Sequence, residues 1–232
     1  MLLRVFRASP SIRRFSSAVE PIRYVKLTSA DANDVFEYVF DNFVLREPLT
    51  GAVKWQKHQA SECVSDLVNS CIDSSFSYAA RNTQDEIVGV RLARVSLRPK
   101  DLSVAHPLKD YGHQNVNDVM KFLSALFSQL WHKVPEDWDK VLESVILSVN
   151  KDYNKQGIGR MIMDYKLDEV KAAGCKAIVA EYTALKSQRL AYKNNYWILH
   201  EILHKDWVDE KGNRIFTCDD GTDRGFLACL PL

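Results

Sequence analysis

What this chain lacks first is a surplus of charge, because 31 basic and 30 acidic residues leave a formal net charge of +1. A balance that close builds no broad basic face for a phosphate backbone, so no nucleic acid is expected as a partner. Cysteine is sparse and unpaired in pattern. Cys63, Cys71, Cys175, Cys218 and Cys229 are five in number, scattered, and contain no Cys-x-x-Cys pair. That argues against a disulfide framework and a zinc knuckle, and predicts reduced, partly buried thiols. No apolar run approaches the roughly 18 residues that span a bilayer, so no membrane is expected either. Internal repeats and low-complexity tracts are also missing. What is present is a 46% hydrophobic fraction in 232 residues, enough for one domain with a substantial core.

The first acid is Glu20. Before it, Arg4, Arg7, Arg13 and Arg14 are interleaved with Leu2, Leu3, Val5, Phe6, Ile12 and Phe15 and with four serines. An acid-free, Arg- and Ser-rich amphipathic start predicts a mitochondrial transit peptide over residues 1–20; the alternative is a flexible basic tail on a cytoplasmic protein. Pro10 opposes a single continuous helix there. A cut near Arg14-Phe15-Ser16-Ser17 would leave a single domain over 21–232.

Past Pro21 the pattern alternates over Ile22–Leu27 as a strand. Thr28-Ser29-Ala30-Asp31 reads as a helix start, with Val35, Phe36, Val39, Phe40 and Phe43 as the buried stripe. Arg46-Glu47-Pro48-Leu49 reads as a connector and Trp55–Ile72 as a second helix. Ser75–Arg81 and Ile87–Leu97 read as strands, Pro99–Gln114 as loop, and Val116–Trp131 as helix. Val141–Val149 is dense in β-branched residues and leads through a glycine turn to a helix over Ile158–Ala173 and a strand over Cys175–Tyr182, a βαβ unit. A helix from Leu185 to Lys193 ends at Asn194-Asn195. Tyr196–Val208 and Arg214–Cys218 flank a turn, and Arg224–Leu230 reads as a last strand. The fold class is α/β with a mixed sheet.

Gly157 and Gly159 lie between a strand and a helix start. Small residues there let backbone N–H groups approach a phosphate, and Lys151, Lys155 and Arg160 add positive charge. No Gly-Lys-Ser/Thr follows, and Ile162 stands where Gly-x-Gly-x-x-Gly needs its last glycine. The run Leu147-Ser148-Val149-Asn150-Lys151-Asp152-Tyr153-Asn154-Lys155-Gln156-Gly157-Ile158-Gly159-Arg160-Met161 resembles the acetyl-CoA signature of the GNAT superfamily of N-acetyltransferases. That signature is Gln or Arg, two free positions, Gly, one free position, then Gly or Ala. Here Asn154 occupies the first position. The resemblance implies a mixed, mostly antiparallel twisted sheet flanked by helices, with a central cleft of splayed strands for acetyl-CoA. It also implies backbone contacts to the donor from Leu147 and Val149 and from Asn154, Lys155, Gln156, Gly157, Ile158, Gly159 and Arg160.

Two further stretches are similar to the insect-type arylalkylamine N-acetyltransferases: Phe43-Val44-Leu45-Arg46-Glu47-Pro48-Leu49, and Thr183-Ala184-Leu185-Lys186-Ser187-Gln188-Arg189-Leu190-Ala191. The first implies Glu47 as the general base that frees a protonated amine for attack on the thioester. The second implies Thr183 and Ser187 as hydroxyls that organise the site, one of them protonating the leaving thiolate. Other GNAT members place a tyrosine in this helix; Ala191 stands at that place, with Tyr192 one position off as a reserve. Phe43, Trp55 and Tyr182 are candidate walls for an aromatic acceptor. The expected reaction joins acetyl-CoA and a small amine without a metal, in a protein favoured to be a monomer.

Two other readings stand beside this one. A non-catalytic acyl-CoA-binding module would share the loop. His200-Glu201-Ile202-Leu203-His204 fits His-Glu-x-x-His, which on a helix would hold zinc for hydrolysis. Its aromatic and β-branched surroundings predict a strand instead, where residues four apart stand about 13 Å from one another, too far for one ion.

Overall fold

The computed structural model describes residues 20–104 and 108–232, so the expected transit peptide lies outside the described residues except for Glu20. Glu20 is tied to the domain. Its carboxylate accepts from the Thr83 N–H at 3.0 Å, the Thr83 hydroxyl at 2.6 Å and the Tyr153 hydroxyl at 3.0 Å.

Seven strands form one sheet: β1 (Arg23–Lys26), β2 (Tyr78–Arg81), β3 (Ile87–Leu97), β4 (Lys140–Val149), β5 (Ala177–Tyr182), β6 (Trp197–Leu203) and β7 (Arg224–Pro231). Their spatial order is β1-β2-β3-β4-β5-β7-β6, antiparallel throughout except between β4 and β5. This is the mixed, mostly antiparallel α/β sheet expected. Helices α1 (Ala32–Asn42), α2 (Pro48–Ala52), α3 (Lys57–Ile72), α4 (Gln114–Phe127) and α5 (Leu130–Lys133) pack into the main core on one face. Helices α6 (Ile158–Asp164), α7 (Leu167–Ala172) and α8 (Leu185–Lys193) cover the other in three smaller clusters. On α1 the expected stripe is buried at Val35, Val39 and Phe40, each burial contributing roughly 1.5–3 kcal/mol.

The splay that opens the sheet has a local cause. Along β3 and β4, Leu92 faces Ile146 but Ala93 faces Ser144, so Val145 is an extra residue on β4. A bulge of this kind bends its strand and resets the alternation of faces. Val145 and Ile146 are consecutive, yet both pack on the main core. Beyond the bulge β4 leaves β5: their parallel ladder holds only Leu142↔Ile178 and Glu143↔Val179. On its other side β5 is paired with β7 along its whole length.

Three expectations are corrected. The helix over 158–173 is broken at Tyr165, and Lys166 takes a left-handed conformation at φ 57°. Tyr165 leaves the helix to stack on Tyr24 at 5.2 Å and meet Tyr78 edge-on at 5.0 Å, while Arg91 Nη1 donates to the freed Met163 carbonyl at 2.8 Å. The helix over 116–131 is two helices, with Ser128 and Gln129 between them. Arg214–Cys218 is no strand; only the single bridge Val208↔Arg214 closes that turn.

Candidate active site

After α1, a 3-10 turn over Val44–Arg46 delivers Glu47 in an extended conformation (φ −79°, ψ 130°). Pro48 occupies the first position of α2, where its fixed φ suits helix initiation and no N–H is needed. Glu47 is the N-cap, and its Oε2 accepts from the Thr50 N–H at 2.8 Å. Its other oxygen, Oε1, accepts from the Thr183 hydroxyl at 2.8 Å, joining positions 136 residues apart. Glu47 is 9% exposed, not the solvated loop carboxylate that a connector usually carries. Burial pushes its carboxyl above the usual range, against the opposing pull of the bonds from Thr50 and Thr183.

Thr183 lies where β5 gives way to α8. The helix begins only at Leu185, so Thr183 and Ser187 do not share a helical face. Ala184 is the N-cap, and the Asp220 carboxylate takes its place as acceptor for the Leu185 N–H at 2.8 Å. Ser187 is half-buried, and its hydroxyl donates to the Ala184 carbonyl at 2.8 Å. Ala191 is fully buried, whereas Tyr192 is 55% exposed and tilts against Phe226.

The glycine loop sits at the open end of the splay. Lys151–Tyr153 form a 3-10 turn, Asn154 ends it, and positions 154–157 are exposed. Gly157 has φ +80°, which an L side chain adopts only with strain, and a Cβ there would meet nothing within 4 Å. Ile158 and Ile162 anchor α6 on the sheet beneath. Gly159 and Arg160 follow in its first turn, with Arg160 paired to Asp164 at 3.3 Å. Just past β4 the Asn150 N–H donates to the Val88 carbonyl of β3 at 2.9 Å. Strand alternation then turns the N–H groups of Ser148 and Ile146 toward β3 and those of Leu147 and Val149 toward the gap left by β5.

On the main-core side the splay opens into a cavity of about 680 Å³. Glu47 and Thr183 line it, as do Phe43, Trp55, Phe127 and Trp131; Ser187, Tyr182 and Tyr192 do not. Tyr182 points to the opposite face, stacking on Phe226 at 5.4 Å. Three charged residues on the strands, unforeseen from the sequence, also line the cavity: Arg94 on β3, Glu143 on β4 and Glu181 on β5. Arg94 forks onto Glu143 through Nε at 2.8 Å and Nη2 at 2.7 Å, and the Ser96 hydroxyl donates to the same carboxylate at 2.9 Å. Glu181 lies deep but fronts the void, so it keeps some surface while losing most of its water. Burial, with Glu143 beside it, pushes its carboxyl up to about 8. Each of these residues interrupts an apolar strand, which was the available signal: a charge in a buried strand is paired or in use.

The His-Glu-x-x-His segment lies on β6, with His204 just beyond its end. His204 is fully buried between Phe122 and Phe216, with Nδ1 3.8 Å from Cys218 Sγ, and burial holds it down to about 4. Glu201 accepts from Arg224 at 3.0 Å. Extended backbone separates the two histidines, and no group of three metal-ligating side chains occurs among the described residues.

No family model matches the sequence. Solved structures do match. Mosquito arylalkylamine N-acetyltransferase-like 5b aligns with a TM-score of 0.75 at 18% identity, over 91% of this chain and 100% of its own. The fold is that of the GNAT acetyltransferases. The Drosophila melanogaster polyamine N-acetyltransferase, which forms N-acetylagmatine, gives a TM-score of 0.75 at 14% identity, over 91% and 100%. The C-terminal condensation domain of Ebony, solved with beta-alanyl-dopamine, gives 0.72 at 18%, over 92% and 100%. At such identities the likeness establishes the GNAT fold, and the reaction rests on the chemistry of the site.

Proposed function

We propose that this protein transfers an acetyl group from acetyl-CoA to a small primary amine with an apolar body, with Glu47 as general base. The observation that carries this reading is the buried Glu47–Thr183 pair on the wall of the cavity into which β4 and β5 splay. The donor fits the open end. Gly157 leaves space for a phosphate group beside the exposed loop at 154–157, and Leu147 and Val149 turn their N–H groups into the gap. In this reading the two N–H groups stabilise negative charge on the thioester oxygen. Phe43, Trp55 and the other aromatic walls suit an arylalkylamine.

A primary amine is mostly protonated near neutral pH and must lose that proton before it attacks. Glu47 takes it, and its raised affinity for a proton suits the task. Once Glu47 has released that first proton to solvent, the amine nitrogen bonds to the carbonyl carbon as the carbon–sulfur bond breaks, and the nitrogen gives its second proton to Glu47 as the amide forms. The leaving thiolate needs a proton in return. Thr183 supplies it from its hydroxyl and is reprotonated by Glu47, so the proton passes along the 2.8 Å bond between them. Ser187 supports this segment through the Ala184 carbonyl and is the second candidate donor.

The test is thiol release from acetyl-CoA across an amine panel with Glu47→Gln, Thr183→Val and Ser187→Ala. Glu47→Gln is expected to lose at least about 100-fold in kcat with donor binding retained, within the range for a general base. Thr183→Val should lose more than Ser187→Ala. Parent-rate turnover by Glu47→Gln would refute the assignment of the base, and absence of turnover with every amine would favour a binding module.

A further inference from the structure

Resting on the acetyltransferase reading above, we propose that Glu181 reads a second cationic group on the acceptor, so that a diamine is preferred over a monoamine of the same length. The first support is charge. Among the described residues that line the cavity, the charged and titratable groups are Glu47, Arg94, Asp101, His132, Glu143 and Glu181. Four carboxylates thus face one guanidinium and one imidazole.

The second support is how those groups are already used. Arg94 is spent on Glu143, and its remaining Nη1 donates to the Ser70 hydroxyl at 3.1 Å. Glu143 is thereby neutralised and pinned, with Ser96 as a further donor. Asp101 holds the N–H and hydroxyl of Ser103. Glu47 holds Thr50 and Thr183. Glu181 is left over: no other described residue donates a hydrogen bond to its carboxyl, which opens on the cavity. A deep carboxylate without a partner either keeps a proton or takes a cation.

The third support is spacing. Glu181 on β5 and Thr183 just past its end are two residues apart and line the same cavity, which sets them about 7 Å apart in extended backbone. Thr183 in turn holds Glu47. An acceptor whose near nitrogen meets Glu47 therefore places a second ammonium at Glu181 if a short spacer joins the two. Phe43, Val44, Val145 and Ile146 line the same cavity and supply apolar surface for such a spacer.

Cation binding requires the Glu181 carboxyl to give up its proton. Below pH 8 the preference for a diamine should therefore grow about tenfold per pH unit, since the ionised fraction grows by that factor. The experiment measures kcat/KM from pH 6 to 9 for pentylamine and 1,5-diaminopentane, and for phenethylamine and tyramine, with the parent protein and Glu181→Gln. The expected result is a diamine preference of tenfold or more at pH 8, residing in KM, that collapses toward the statistical factor of two in Glu181→Gln. Calorimetric titration of the parent protein with 1,5-diaminopentane, in two buffers of different ionisation heat, should show proton release without any substitution. The proposal is overturned if the preference survives Glu181→Gln, if both members of each pair lose rate alike, or if tyramine gains over phenethylamine as much as the diamine does. Absence of turnover with all four amines is a separate outcome, which removes the acetyltransferase reading itself.

Discussion

Replacing Glu181 with glutamine should change how stability depends on pH, whatever the substrate. The folded protein holds this carboxyl near 8 against an ordinary value of 4.5. Between those values the native state keeps a proton that the unfolded chain has released. Stability is then fully present below pH 4.5 and is lost as pH rises through 8. The slope is about 1.4 kcal/mol per pH unit. Over the whole window the loss is on the order of 5 kcal/mol, an upper bound because the carboxyl faces a cavity that admits water. In a domain of this size 1 kcal/mol moves Tm by about 2–4 °C. Glu181→Gln keeps the shape and removes the titration, so the other titrating groups cancel in the difference between the two proteins. Urea midpoints at pH 5.5, 6.5, 7.5 and 8.5 should show the variant gaining on the parent at each step. Parallel curves would refute the reasoning, as would a variant less stable than the parent at pH 8.5.

Two glycines give sharper, local tests. A Cβ at Gly225 on β7 would stand 2.5 Å from Phe122 Cε1 and 3.1 Å from Leu126 Cδ1, so Gly225→Ala must push α4 off the sheet. A cost of about 1–3 kcal/mol is expected in chemical denaturation, and an unchanged midpoint would contradict the packing. Gly157→Ala meets no neighbour but must hold φ +80°, for a backbone cost of about 1–2 kcal/mol. Its larger effect should be a raised KM for acetyl-CoA with an unchanged KM for the amine, read by steady-state kinetics.

Much of this architecture was legible because it follows from local pattern. β-branched density marked β4, a 3.6-residue period marked α1, and strand chemistry around His200 and His204 placed that segment on β6. The connector at Glu47 was readable because Pro48 stops the preceding helix, whereas the short helix α2 that Pro48 itself opens was not. The break in the helix at Tyr165 was not, since it depends on aromatic partners on β1 and β2 that periodicity cannot supply. Nor was the bond between Glu47 and Thr183, which is created by the splay and not by spacing. Whether Thr183 and Ser187 share a helical face depends on where α8 starts, and Asp220, from a distant loop, helps to set that start. Arg94, Glu143 and Glu181 were visible as charges inside apolar strands, but only the sheet order reveals that they face one cavity.

The lopsided pairing of β5 bears on how the site is made during synthesis. The strand carrying Glu181 and leading to Thr183 has two ladder partners on β4, which precedes it, and its full-length partner on β7, which emerges from the ribosome after the whole of α8 and β6. Until residues 224–231 are available, this strand has only its two ladder partners on β4, and its other edge is open to other chains. The carboxylates are therefore brought into register late, in a slow, non-local closure. A chain stalled before β7 would carry every residue of the candidate site and still be unable to assemble it.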